Sequence, residues 1–331
     1  MAETNFQPKS DIEVMIGTKA AGVALGTAMA AGDTWHAALV TDYSFSVVNA
    51  PVETAPQRAG TYGHVESMGH HRPDTQTYEA SLTFRGSKIG IEKVFLALMG
   101  DGASAISFLP TSNTGSMKHG VANASLVDLV FANAGNDATN IDLLMKSCLC
   151  TSATISQSAG TNGGETVLEA TFWTAYRPED IANFTPSSLT ADSGLVKNIF
   201  GLTGTLASQP LFIDSWSITA SRSLARVGYS ETTNYLPFGY VQTSPYEITG
   251  SLTVKRDDSI EDLIDEFKGN STGIALNLAD ATASDFTINC PDVMIDGSTV
   301  DSGGDFLMQE IPFRAFGASE SGAMMTITLA N

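Results

Sequence analysis

Positive charge is scarce in this chain of 331 residues. Seventeen Lys and Arg stand against 36 Asp and Glu, a formal net charge of −19. Gripping nucleic acid requires cations that displace counterions from phosphate, so this balance excludes a protein that holds DNA or RNA tightly. It does not exclude one past which DNA slides. Charge of either sign is thin, 16% of residues against roughly 25% in an average soluble domain. The polar surface must then come from Ser, Thr, Asn and the 30 Gly, which suits a subunit that covers much of its surface with neighbours. Cysteine is nearly absent. The three, Cys148, Cys150 and Cys290, imply no disulfide framework, and the Cys-x-Cys pair lacks a second pair at zinc-ligand spacing, so all three read as small buried residues. No segment reaches the ~18 to 20 apolar residues that span a bilayer. Ala20 to Ala31 has the look of a signal core, yet it starts late and follows Asp11 and Glu13 where a basic segment belongs. It reads as an arm or short helix of the mature chain.

Reactive constellations are missing as well. His64, His70 and His71 cluster near Glu66 and Asp74, but adjacent histidines in an extended chain point apart and make no ligand set; they read as solvated or interface residues. Asp296 to Asp305 lacks the alternating carboxylates and closing Glu of a calcium loop. Gly163-Gly164 and Gly303-Gly304 precede no Lys-Ser/Thr and no helix. The nucleophile elbow and the zinc-protease signature are absent. The expectation is a protein that is not an enzyme and uses no cofactor or metal.

What the chain does contain is a duplication. Tyr78-Glu79-Ala80-Ser81-Leu82-Thr83-Phe84-Arg85 matches Tyr246 to Lys255 through Ser-Leu-Thr, an apolar residue and a base, at an offset of 170. Ile91 to Gly100 matches Ile260 to Gly269 at 169. A third block, Gly163-Gly164-Glu165 through Trp173, Ala175 and Tyr176, aligns with Gly303-Gly304-Asp305 through Phe313, Ala315 and Phe316 at 140, and Cys150 and Cys290 share that spacing. The drop puts extra residues into the first copy, an insert at about 110–140.

Ile91, Val94, Phe95 and Leu98, like Ile260, Leu263, Ile264 and Phe267, fall at i, i+3, i+4, i+7 and predict one helix per copy with an apolar core stripe. The strands before them alternate, as do Ser44 to Val47, Ser215 to Ile218, Thr287 to Cys290 and Met325 to Leu329. The expected fold is mainly β: two tandem β-sandwich or barrel domains, each with one flanking α-helix. The reading divides the chain into an N-terminal arm (1–33), a first domain (34–176), a linker (177–209) and a second domain (210–331). Long loops at about 48–77 and 220–245 carry Tyr, His and Pro. Tyr229, Tyr235, Phe238 and Tyr240, with His70 and His71, are the candidates for self-association.

The second copy, over about 210–331, resembles the tail tube (major tail) protein of long-tailed bacteriophages. The resemblance rests on Tyr246 to Lys255, the helix Ile260 to Phe267, Asp301-Ser302-Gly303-Gly304-Asp305 and Gln309 to Phe316. The first copy looks like a diverged second tube domain. The resemblance implies a structural virion protein, made in the host bacterial cytoplasm, that forms six-domain rings stacked into a channel for DNA ejection. With two domains per chain, it implies a homotrimeric, pseudo-hexameric ring. Implied partners are other copies of itself, tail-end and tape-measure proteins, and viral DNA in transit, with no membrane. The alternatives are the tube of a contractile injection device and a β-sandwich adhesin that binds carbohydrate or a cation.

Overall fold

The computed structural model describes residues 12–19, 24–48, 77–99, 105–108, 116–118, 126–133, 141–182, 184–191, 194, 198–229, 237–256, 274–280, 286–302, 307–317 and 322–329. In chain order, the first part holds β1 (Ile12–Thr18), β2 (Thr34–Ala37), β3 (Val40–Val48), β4 (Thr77–Arg85) and helix α1 (Lys88–Met99). It continues with β5 (Ala105–Phe108), β6 (Ser116–Lys118), β7 (Val127–Asn133), β8 (Ile141–Ser158) and β9 (Val167–Thr174). Then come β10 (Glu179–Ala182), β11 (Ser188–Ala191), β12 (Leu202–Leu206), β13 (Gln209–Leu211), β14 (Ile213–Ser221), β15 (Leu224–Tyr229) and β16 (Pro237–Gln242). The last are β17 (Glu247–Lys255), β18 (Ile274–Asp280), β19 (Phe286–Ile295), β20 (Thr299–Asp301), β21 (Met308–Phe316) and β22 (Met325–Leu329).

Hydrogen-bonded neighbours in the first half run β2-β1-β7-β8-β9-β4-β3. In the second half they run β13-β12-β18-β19-β21-β17-β14. The order is the same, position for position. The last pair in each order, β4–β3 and β17–β14, even carries the same irregularity, between Val40 and Asp42 and between Ile213 and Ser215.

The halves do not form two helix-flanked sandwiches, and that expectation is corrected here. They belong to one 19-stranded mixed sheet, and α1 is the only α-helix among the described residues. The physical reason is β8. Its 18 residues contain neither Gly nor Pro, so nothing ends the strand where the first half ends. It runs on and pairs with β14 of the second half. β5 pairs with β22, and β6 with β16, so strands near the predicted insert also cross between halves. One buried cluster accordingly holds Ile155 and Phe172 together with Ile218 and Phe313. The predicted helix with Ile260, Leu263, Ile264 and Phe267 lies outside the described residues.

The third repeat block is also corrected, by one residue. Leu82 stands opposite Ala170, and its counterpart Leu252 stands opposite Ile311. Phe172, not Trp173, therefore corresponds to Phe313, and the spacing is 141. A one-residue slip moves a side chain to the other face of a strand. Phe172 faces the main core. Trp173 faces the opposite way, where Tyr240 packs edge-on to it at 4.8 Å. The matched Cys150 and Cys290 are not equivalent either, since Cys150 stands opposite Phe172 on β9, whereas Ile295, not Cys290, stands opposite Phe313 on β21.

Helix α1 begins where Ser87 Oγ accepts the Gly90 N–H at 3.0 Å, an N-cap. Ile91, Val94, Phe95 and Leu98 are fully buried beneath it. The segment read as an arm contains β1, whose Val14, Met15 and Ile16 are core residues, and residues 24–30 are not helical. The segment read as a linker contains β10 on β8, β11 parallel to β2, and β12 on β18. Lys19 anchors the N-terminal segment. Its ammonium donates to Ser147 Oγ at 2.7 Å and pairs with Asp128 at 3.2 Å, both side chains being fully buried. Asp128 also accepts the N–H groups of Met29 (2.7 Å) and Ser147 (2.6 Å). Burial pushes the Lys19 pKa down and the Asp128 pKa up, and the attraction between the two opposes both shifts. Removing one member of a buried pair leaves the other charge stranded, at a cost of about 3–5 kcal/mol. Asp128→Ala is expected to lower stability by that amount, read as a lower urea midpoint with an unchanged slope.

Candidate assembly interface

The seam between β8 and β14 joins the two halves. On one face it aligns hydroxyls: Ser152 with Ser221, Thr154 with Thr219, Ser156 with Ser217, Ser158 with Ser215. Thr154 and Thr219 are 2.8 Å apart, oxygen to oxygen. On the other face Ala153 meets Ala220 and Ile155 meets Ile218, all fully buried. At the end of the seam the Trp216 indole N–H donates to Gln157 Oε1 at 2.8 Å, and the Gln157 amide donates to Thr166 Oγ1 at 2.6 Å. Each buried polar group thus has a partner, as burial demands. A polar groove of about 290 Å³ opens beside these residues, lined by Gln157, Thr161, Asn162, Glu165, Trp216 and Ser217.

Arg222, directly after β14, locks the seam from the helix side. Its guanidinium donates to the carbonyls of Cys150 (3.1 Å) and Ala97 (2.9 Å) and to the Tyr246 hydroxyl (3.1 Å). Tyr246 in turn donates to the Leu98 carbonyl at 3.0 Å. The C-terminal carbonyls of α1 are therefore capped by two second-half side chains, and a cation there is favoured by the helix dipole. Burial lowers the Arg222 pKa, opposed by Tyr246 and Cys150, while burial pushes the Cys150 thiol up to about 12.

The hydroxyl face extends beyond the seam. Ser44 and Ser46 on β3, Ser81 and Thr83 on β4, Thr171 on β9, and Thr249, Ser251 and Thr253 on β17 occupy register positions on the same side as the seam hydroxyls. Glu79, Glu169, Glu247 and Glu310 add carboxylates along it. Of its cations, Arg85 makes a two-pronged pair with Glu165 (3.1 and 2.7 Å), and Arg314 pairs with Asp296 at 2.7 Å. No group of three or more His, Cys, Asp or Glu among the described residues is placed to hold a metal ion.

The residues expected to mediate self-association fall in three places. Phe238 is exposed on β16. Tyr240 is buried instead. Its hydroxyl bonds with the Ser147 carbonyl (3.2 Å), the Ala175 N–H (3.2 Å) and Thr174 (3.1 Å), and burial raises its pKa well above the usual phenol value. It closes a cluster over Trp173 and Tyr176, so within the chain it is a core residue. Tyr229 ends β15, while Tyr235, His70 and His71 lie outside the described residues. Sequence reasoning missed Arg222. A lone Arg after a Ser/Thr-rich strand gives no signal until the helix end above it is known.

No protein-family model matches the chain, and no curated protein matches it in sequence. The seam must therefore be judged by its own geometry. Arg222→Leu leaves the Ala97 carbonyl and the Tyr246 hydroxyl without their buried donor. Hydrogen bonds to a charged group contribute about 1.5–3 kcal/mol each. A loss near 3 kcal/mol is expected in urea unfolding, with β14 amides losing hydrogen-exchange protection before those of β4.

Proposed function

We propose that this chain is the structural subunit of a tube, a phage-type tail tube, which stacks as rings and conducts DNA without binding it. The observation that carries the reading is the edge-to-edge fusion of two seven-strand sets of identical order into one sheet with a Ser/Thr-rich face that spans β3, β4, β9, β8, β14 and β17. In this reading that face lines the channel. Hydroxyls and carboxylates give phosphate no counterion to displace. Two of the face's cations, Arg85 and Arg314, are already engaged by Glu165 and Asp296. The screening length at physiological salt is ~8 Å, so only charges on the wall itself act on passing DNA. The chain's net charge of −19 works in the same direction.

Two equivalent halves per chain and six per ring make three chains per ring, the stoichiometry the resemblance implies. A repeated head-to-tail contact closes into a ring when its rotation divides the circle. Negative-stain electron microscopy of purified protein, with mass measurement alongside, tests the reading. The expected outcome is hollow rings or stacked tubes with three chains per ring, and no retardation of duplex DNA at 150 mM salt. A chain that stays monomeric at millimolar concentration and binds a glycan or calcium argues for the adhesin instead.

A further inference from the structure

The equivalence of the halves identifies a second seam that a single chain cannot close. β14 is the second-half counterpart of β3: Trp216 and Tyr43 stand opposite Leu252 and Leu82, and Ile218 and Phe45 stand opposite Gly250 and Ala80. β20 is the counterpart of the far end of β8. Thr299, Val300 and Asp301 stand opposite Glu310, Gln309 and Met308 on β21, as Thr154, Ile155 and Ser156 stand opposite Glu169, Leu168 and Val167 on β9. Inside the chain, β14 and β8 are joined. Among the described residues their counterparts are not: β3 pairs with β4 alone and β20 with β21 alone.

Burial follows the same division. Ile218 and Ile155 face each other at 0% exposure, whereas their counterparts Phe45 and Val300 are 39% and 41% exposed. Two large apolar side chains on core-facing strand positions stay wet because the strand that would cover each is missing.

We propose that β3 of one chain pairs antiparallel with β20 of a second copy, in the register of the internal seam, so that Phe45 stands opposite Val300 and Ser46 opposite Thr299. The occupant is another copy of this chain because the template is this chain's own junction. It joins a β3-type edge to a β8-type edge, and each chain carries one further edge of each kind. The contact is heterologous, since one chain's β3 meets another's β20 and its own β20 is left for a third. The new strand pair buries Phe45 and Val300 as Ile218 and Ile155 are buried, and it carries the Ser/Thr face across the chain boundary. This rests on the tube reading only for what the ring is used for.

Cysteine pairing in the full chain tests it. Residues directly opposite across an antiparallel pair have Cβ atoms ~4.5–5.5 Å apart, close enough for a disulfide with slight adjustment. The native cysteines are buried and give little background. Under mild oxidation, S46C/T299C or F45C/V300C is expected to link more than half of the chains into oligomers. Mixed S46C and T299C single variants should give heterodimers, and neither single variant alone should link to itself. The slipped pair S46C/V300C places its thiols on opposite faces and should link at least tenfold less. Rings seen by microscopy with neither in-register pair linking would overturn this seam and leave the tube reading standing. Linked closed rings that never stack would support the seam and overturn the tube. A disulfide confined to monomer mass would overturn the seam. Monomers alone, unlinked at millimolar concentration, would overturn both.

Discussion

Everything else in the molecule depends on the pairing of β8 with β14. An 18-residue strand spans far more than one layer of a small sandwich, and β8 uses its length in two parts. Its first part lies between β7 and β10, its second between β9 and β14. A strand edge left with unpaired N–H and C=O groups is a liability. Here the first half's edge is satisfied by the second half, and the apolar faces of both merge into one core. Burying a side chain such as Ile155 or Ile218 contributes on the order of 1.5–3 kcal/mol, so the seam is part of the folding core. It is no contact between finished domains.

The two faces of this sheet obey different constraints. The inner face is tightly filled. A Cβ on Gly250 would lie 2.4 Å from the Phe313 ring and 2.6 Å from the Ser217 carbonyl, whereas the equivalent position in the first half is Ala80 opposite Phe172. The close approach of Phe313 explains why the repeat keeps a glycine on one side only. The outer face is built from short hydroxyl side chains that satisfy one another across strands, such as Ser217 with Ser251 at 3.1 Å. Such hydroxyls keep the face wettable with only scattered charges, and this is how a chain with few charged residues keeps a polar surface.

The parts of this design differ in how legible they are from residue order. The α1 stripe is readable because period 3.6 and side-chain type coincide at Ile91, Val94, Phe95 and Leu98. The Ser-Leu-Thr match of β4 and β17 is readable because identical residues occupy identical faces. The third block misleads by one position because Trp173 and Phe172 are both large and aromatic, so chemistry alone does not say which faces the core. Only the strand opposite decides it. Tyr240 misleads for a related reason: it follows a loop rich in turn residues, and its cover, Trp173, comes from a strand 67 positions away. The joining of both halves in one 19-stranded sheet was invisible because alternation reports which face a residue occupies and is silent on which strand lies beside it. The four Ser/Thr pairs of the seam look the same in sequence whether they face a neighbour or water.

The two β8-type edges have diverged in a way that follows from where each is used. The internal one is a strand of 18 residues that continues past a register shift between Cys150 and Ser152. The outer one is interrupted: β19 ends at Ile295, Gly297 sits at φ 146°, and only Thr299 to Asp301 resume as β20. An internal seam forms at the high effective concentration set by the covalent chain and has few competing partners, so a long edge there carries little risk. An edge that must remain open on a lone chain is exposed to every other strand in solution. A short segment next to a glycine kink is the form of edge strand that resists indiscriminate pairing. In the proposed assembly, duplication gives one contact a permanent use inside the chain and its twin a use between copies, with the same register of residues in both.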